Sequence, residues 1–381
     1  MKMKRISKIL LFVTVFLLLI CPVFAAEYSF SSDSVGVDAV YGKWDEVLAS
    51  IPEELREDLG SLSLTSAEDD IREKTSLRFW LTAAWDGLTK AARDVLPSLS
   101  VLVSVIILSA VGTYCLPCAS PSVSTAFSLT SRVAAAIPLI SSTYTAVSVA
   151  GAYLTRLTSL VNIITPVMEI MYLSSGSISE GAVTTTGLTV ALSVVDTVNS
   201  TFMPPVVTVL FTLASLSAVC SDVRLGGLVA SVRKLLMRLW QIMTLFFSFM
   251  IGTQTVIARS ADTLSTRTAR FAISSMIPVA GGIIAEAYNT LKEGVAYIRG
   301  AAGIGGIILI LCILLTGIIP LLVYKAAFGV TAFLSEMLGL DGTSKLLGEI
   351  KSIIDLIIAV VLYSSLMFVF VLVLFAKSRE V

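Results

Sequence analysis

The sequence predicts an all-α, polytopic integral membrane protein: a helical bundle with Pro/Gly-broken helices, preceded by a small exterior helical segment. Hydrophobic residues make up 56% of the 381 residues and charged residues only 14%, whereas soluble proteins carry about 25% charged residues. The mean hydropathy is +0.90. Apolar runs follow one another from Val95 to Phe375, several of them long enough to cross a bilayer. These observations exclude an ordinary soluble domain.

Composition also argues against most enzyme classes. The chain contains no histidine, which removes the commonest general base, the commonest zinc ligand and the Ser/His/Asp arrangement. The glycine-rich run from Gly300 to Gly306 lacks the lysine and the preceding strand that a phosphate-binding loop needs. We therefore expect no catalytic residues, no cofactor and no bound metal.

Residues 1–25 have the pattern of a secretory signal peptide. Four basic residues precede an apolar core from Ile9 to Ile20, and a small-residue site ends at Ala25. The core is short for a spanning helix. We expect cleavage after Ala25, with an uncleaved membrane anchor as the alternative.

Residues 26–93 form an exterior, acidic, amphipathic-helical segment in this prediction. The part from Glu27 to Lys90 holds 14 acidic and 6 basic residues. The run from Ser50 to Glu53 reads as a capping box with proline in the first turn, and Trp80 and Trp85 suit the headgroup layer. A segment this short buries a marginal core, so we expect a membrane or a partner to order it; a small core of its own is the alternative.

Residues 94–381 are predicted to form a membrane domain of roughly seven to nine spans. The candidate runs are Val95–Leu116, Val133–Leu154, Leu157–Leu173, Val183–Phe202, Val206–Val219, Trp240–Ala258, Phe271–Tyr288, Ala301–Val323 and Ile353–Phe375. Nine crossings from an exterior N-terminus place both the 224–238 loop and the basic C-terminal residues in the cytoplasm. The same count puts Arg259, Arg267 and Arg270 outside, against the positive-inside tendency. Seven crossings with two half-helices stay open.

The sequence predicts an internal repeat that relates residues of about 133–258 to residues of about 259–376, with chance recurrence of common Pro and Gly residues as the alternative. Six landmarks recur at offsets of 112 to 119 residues, and they include Arg156 with Arg270, Glu169 with Glu286, and Pro204 with Pro320. In each copy, a short amphipathic segment that we call the joint precedes the last apolar run. This joint is basic in the first copy and near neutral in the second. Opposite membrane sides would give that difference, so the pattern favours an inverted repeat.

Two sets of residues stand out within the apolar runs. Three carboxylates, Glu169, Asp196 and Glu286, predict either a polar lining with a proton-linked role or an interfacial position that caps a broken helix. Helix breaks and close helix packing are predicted at the prolines and glycines Pro166, Pro204, Pro205, Pro278, Gly281, Gly282, Gly300, Gly303 and Pro320.

With these landmarks in place, the sequence resembles the stage III sporulation protein AE family of endospore-forming bacteria. The resemblance is carried by the signal-like start, by Trp44 and Pro52, and above all by the last third of the chain. There the matching features are the runs Arg267–Phe271, Ile277–Gly282, Glu286-Ala287 and Gly300–Gly303, together with Pro320 and the closing span. The likeness covers nearly the whole chain and includes no catalytic signature.

The resemblance implies a multi-pass component of the mother-cell membrane that faces the forespore. It implies a place in a secretion-like channel between the two cells, needed for late forespore development. Implied partners are a cytoplasmic ATPase and ring-forming proteins of the intermembrane space, within an oligomeric complex that binds no nucleic acid. Charge and predicted side favour a contact with the ATPase at Arg224, Arg233, Lys234 and Arg238, and a contact with the ring proteins at the acidic segment. The alternative function is a secondary transporter that uses the intramembrane carboxylates.

Overall fold

A computed structural model describes residues 77–115, 121–175, 177–219, 226–276 and 281–376. Within these ranges every regular element is helical, as the sequence predicts. The signal peptide, most of the exterior segment, Arg224 and Pro278 lie outside the described residues. The elements are α1 (Leu77–Cys115), α2 (Pro121–Ser174), α3 (Ile178–Thr197), a π-helical turn (Val198–Phe202), α4 (Met203–Val219), α5 (Gly226–Met276), α6 (Gly281–Met337) and α7 (Asp341–Ala376).

Six helices of the described chain are long and apolar enough to cross a membrane, and α4 is a shorter apolar helix. They are fewer than the nine predicted runs partly because neighbouring runs join. The runs Val133–Leu154 and Leu157–Leu173 both lie on α2, which continues through Thr155 and Arg156. Neither of these residues is a helix breaker, so a dip in hydropathy there does not end the helix.

Prolines interrupt the helices less than expected. Pro166 and Pro320 lie inside continuous helices and not at helix ends, because a proline removes one backbone hydrogen bond and neighbouring helices can compensate for that loss in a membrane. Pro204 and Pro205 have a larger local effect. They are the second and third residues after the π-helical turn, and two successive residues without N–H groups explain a widened turn at this point of an otherwise continuous helix.

Helices α6 and α7 form an antiparallel hairpin with close contacts at glycines. A Cβ atom on Gly303 would lie 2.6 Å from the Cβ of Ala376, and one on Gly306 would lie 3.0 Å from Leu372. Gly300 is also buried. Small residues let the two backbones approach closely, which is a main source of helix association in membranes.

Helix α5 packs beside α7 in the same direction. Arg233 donates to the carbonyl of Ser352 at 3.2 Å, and Trp240 Nε1 donates to the carbonyl of Val360 at 3.4 Å. Further along, Phe370 lies 3.4 Å from a Cβ built on Gly252. The residue numbers rise together along both helices, with a separation of 118 to 120 residues. The two helices are therefore parallel and nearly in the register of the predicted repeat.

The sequence favours an inverted repeat, whereas in the structure the corresponding helices α5 and α7 are parallel. Helix α3 is antiparallel to α5, since Glu180 meets Arg259 and a Cβ on Gly187 would lie 2.9 Å from Ile251. Helix α3 is therefore parallel to α6, just as α5 is parallel to α7. The basic joint on α5 and the near-neutral joint on α7 lie at the same end of the bundle. Their difference in charge is therefore not caused by opposite membrane sides.

The bundle has two ends, which we call the Arg233 end and the Arg259 end. Helix α7 begins at the Arg233 end and finishes at the other. There the rings of Phe375 and Tyr172 stand 5.3 Å apart, and Tyr172 contacts Gly181 beside Glu180. The end of α7 at Ala376 therefore lies at the opposite end of the bundle from the basic joint, whereas the sequence predicts that the joint and the C-terminal residues share one side. Lys377 and Arg379 themselves lie outside the described residues.

Candidate functional site: two ion-pair clusters and a groove

The first polar cluster joins α3 to α5 at the Arg259 end. Glu180 is only 1% exposed, and its Oε1 accepts from Arg259 Nη2 at 2.7 Å and from Nε at 3.3 Å. Asp262, one turn further along α5, accepts from the backbone N–H groups of Ser179 at 3.1 Å and of Glu180 at 2.8 Å. Both carboxylates are thus held by charge-assisted hydrogen bonds or by helix-end donors.

Local sequence explains this geometry. The first N–H groups of a helix have no partner within that helix, and Ser177, the N-cap residue of α3, makes no side-chain capping bond. Asp262 supplies the acceptor from a different helix, where its negative charge also suits the positive end of the helix dipole. The cluster therefore clamps the start of α3 onto α5.

The second cluster joins three helices at the Arg233 end. Lys325 Nζ of α6 lies 2.7 Å from Asp355 Oδ1 of α7, and Arg233 Nη1 of α5 lies 4.0 Å from Asp355 Oδ2. Arg233 is buried, and its Nε has no hydrogen-bond partner within the described part of the chain. Lys351 Nζ lies 3.1 Å from a Cβ built on Gly329, so this glycine leaves room for the lysine between α6 and α7.

The two clusters have the spacing of the two faces of a bilayer. Arg233 and Arg259 are 26 residues apart on α5, which corresponds to about 39 Å of helix. A bilayer with its headgroup regions is about 40–45 Å thick, and the intervening run Trp240–Ala258 is apolar. This spacing suits ion pairs at the two membrane interfaces with the apolar core of the bundle between them.

An apolar groove of about 560 Å³ opens next to the Arg233 end, between α3, α4, α5 and α7. The hydroxyls of three residues in its wall, Thr189, Ser193 and Thr197, each donate to a carbonyl one turn earlier, so they offer little polarity to an occupant. The π-helical turn also lines it. The lining residues are Thr189, Val190, Ser193, Val194, Thr197, Val198, Phe202, Met203, Val206, Leu236, Leu239, Trp240, Met243, Leu356 and Val360.

Two of the three carboxylates singled out from the sequence, Glu169 and Asp196, are not brought together. Glu169 is exposed on α2 and Asp196 is exposed on α3, so neither faces an interior path of this chain. Glu169 lies one turn before Tyr172 at the Arg259 end, which fits the interfacial interpretation. Glu286 lies on α6, but its side chain is outside the described part of the structure.

The predicted basic contact surface is smaller than the sequence indicated. Lys234 and Arg238 are exposed on α5. Arg233 is instead buried against α7, because its position on the helix faces Ser352 and Asp355, and it is withdrawn from the surface. Arg224 lies outside the described residues.

Sequence reasoning missed four residues of the clusters: Glu180, Asp262, Lys325 and Asp355. One signal was available, since Ser177 and Glu180 have the spacing of a capping box. Asp262 and Lys325 follow apolar runs, and Asp355 lies inside the run Ile353–Phe375. None of the three could be paired without the helix register. Among the described residues, no group of three Cys, Asp or Glu side chains could hold a metal ion.

Comparison with known proteins adds one finding. The family described as stage III sporulation protein AE matches residues 65–378, which include all the described helices. No curated protein and no solved structure matches the chain.

Proposed function

The chain belongs to the stage III sporulation protein AE family, and we propose that it is a non-enzymatic membrane component of the sporulation-specific channel between mother cell and forespore. The observation that carries the proposal is the family match across the membrane domain. It is supported by six helices suited to a multi-pass membrane protein and by ion pairs that join helices without forming a reaction centre. In this proposal the protein resides in the mother-cell membrane and is needed for late forespore development.

Deletion of this gene in its native organism is the direct test. We expect engulfment to be completed and late forespore gene expression to be lost, and the wild-type chain supplied in trans should restore both. Normal late gene expression and normal spore yield in the deletion strain would contradict the proposal.

We further propose that the Arg233 end faces the mother-cell cytoplasm. Helix α1 starts after the exterior segment and runs toward this end, since Gly87 lies by Ile319 and Gly339 lies near Tyr114. The exposed Lys234 and Arg238 lie at the same end, as the positive-inside tendency requires. This orientation also puts the end of α7 on the intermembrane side.

On this orientation, Lys234 and Arg238 form a contact for the cytoplasmic ATPase. The two cations lie one turn apart and are exposed, so together they can meet an acidic surface. Charge reversal at both positions should abolish co-purification with the ATPase. Arg267→Glu is the matched control, because Arg267 is exposed on the same helix near the opposite end. Unchanged co-purification of the double variant would remove the contact from the proposal.

A secondary transporter is the rival function. It would require acidic side chains that face a shared path through the bundle, whereas Glu169 and Asp196 lie on exposed faces of two different helices. The chain alone in liposomes should therefore give no solute flux that a proton ionophore dissipates. Such a flux would favour the transporter.

A further inference from the structure

The apolar groove lies directly below the buried arginine of the Arg233 end. On α5, Leu236 and Trp240 follow Arg233 by three and seven residues. On α7, Leu356 and Val360 follow Ser352 by four and eight. At 1.5 Å of rise per residue, these wall residues lie about 5 to 12 Å deeper than the arginine. The groove therefore occupies the depth of lipid hydrocarbon beneath one headgroup layer.

Arg233, three residues before the groove-lining Leu236, is incompletely satisfied. It is 7% exposed and its Nε has no hydrogen-bond partner among the described residues. Asp355 is the nearest anion, but its other oxygen is closer to Lys325, at 2.7 Å against 4.0 Å for the arginine. Leaving a buried charged donor without an acceptor is costly. A bound anionic group would remove this cost.

The local charge balance also favours an anion. Three cations, Arg233, Lys325 and Lys351, are near two carboxylates. These are Asp355 and Glu349, the second of which interacts with Arg233. The cluster thus keeps one net positive charge. Basic sites between helices on the cytoplasmic side of a membrane typically bind lipid headgroups.

We propose that this groove is a binding site for one anionic phospholipid, with an acyl chain between α3, α5 and α7 and a phosphate oxygen accepting from Arg233. The volume of the groove suits a hydrocarbon chain and is too small for a helix of a partner protein. A helical segment of ten residues, about 15 Å long and 10 Å wide, occupies roughly 1,200 Å³, about twice the 560 Å³ of the groove. The proposal does not rest on the channel function, but it rests on residence in a bilayer and on the proposed cytoplasmic position of the Arg233 end.

Native mass spectrometry of the full chain purified in detergent tests the site. Phosphatidylglycerol and phosphatidylcholine with identical acyl chains are added separately. We expect phosphatidylglycerol to be retained at least fivefold more strongly than phosphatidylcholine. Inorganic phosphate at the same concentration should not raise the thermal midpoint, whereas phosphatidylglycerol should. Equal retention of the two lipids, or equal stabilisation by free phosphate, would overturn the proposal.

Two variants address the two halves of the site separately. Arg233→Gln should reduce the preference for phosphatidylglycerol at least fivefold, and Arg267→Gln, exposed near the opposite end of the same helix, should leave it within twofold of wild type. Val190→Trp should fill the groove and reduce binding of both lipids, and Val209→Trp is its control, since both valines are exposed but only Val190 lines the groove. Val190 is 41% exposed, so its replacement should preserve folding. Unchanged binding in Val190→Trp would place the lipid elsewhere and refute the site.

Discussion

A single methyl group at Gly317 should destabilise the bundle strongly. Gly317 is buried on α6, and a Cβ built there lies 2.5 Å from Tyr153 Cδ2, 2.7 Å from its Cγ and 2.9 Å from its Cβ. Carbon atoms in contact normally stand about 3.5–4.0 Å apart. Helices α2 and α6 must therefore separate by about 1 Å to accept alanine.

Tyr153 cannot easily move away from this contact. Its ring is 2% exposed, and its hydroxyl is hydrogen-bonded to Ser365 on α7, so three helices share the position. Overpacking of this kind costs about 1–3 kcal/mol. Because 1.4 kcal/mol is tenfold in an equilibrium constant, the Gly317→Ala variant should unfold about 5- to 150-fold more readily.

Gly348→Ala is the matched control for this prediction. Gly348 lies on α7 and is exposed. Outside its own helix turn, no atom of the residues that the structure describes lies within 4 Å of a Cβ built there. Alanine there should stabilise by about 0.5–1 kcal/mol, since it is the better helix former. Both variants are compared by unfolding in mixed micelles of mild detergent and dodecyl sulfate, followed by circular dichroism. If Gly317→Ala were as stable as Gly348→Ala, the packing argument would fail.

Three further predictions use the same bundle. Asp262→Ala should lower the unfolding free energy by about 0.5–2 kcal/mol, the usual value of a lost helix cap. Asp262→Asn should lower it less because one side-chain oxygen remains as an acceptor, and equal losses in the two variants would contradict capping. In the same assay Asp355→Asn should cost more than Lys325→Met, because removing the anion leaves two neighbouring cations, and the reverse order would contradict a shared anion. In intact mother-cell protoplasts, an epitope after Ala376 and a cysteine replacing Arg267 should be reached from the same side of the membrane, and labelling from opposite sides would refute the parallel arrangement of α5 and α7.

The fold class was predictable because apolar composition and run length act independently of contacts. A run such as Ile353–Phe375 must be helical in lipid whatever it packs against, and α7 includes that run. Helix limits were less predictable. A dip in hydropathy at Arg156 looks like a connection, but only a residue that disfavours the helix would end it, and α2 continues.

The polar contacts were less accessible to sequence reasoning. An acidic residue in an apolar run is conspicuous, yet whether it faces the interior depends on helix rotation. Asp196 faces outward and Glu180, at the start of the same helix, is buried. The partners of Glu180, Arg259 and Asp262, lie about 80 residues further along. Such pairs depend on tertiary register, which one sequence does not supply.

The parallel packing of α5 and α7 gives a physical reason for the charge difference between the two joints. The first joint carries the buried Arg233, and the second carries Asp355 beside the near-neutral run of Lys345, Glu349 and Lys351. When α5 and α7 lie side by side in the same direction, equivalent segments face each other at one level of the membrane. Two basic copies would repel there, as like charges at close range do. The second joint is therefore less basic because it packs against the first. This pairing accounts for the charge difference without any difference in membrane side.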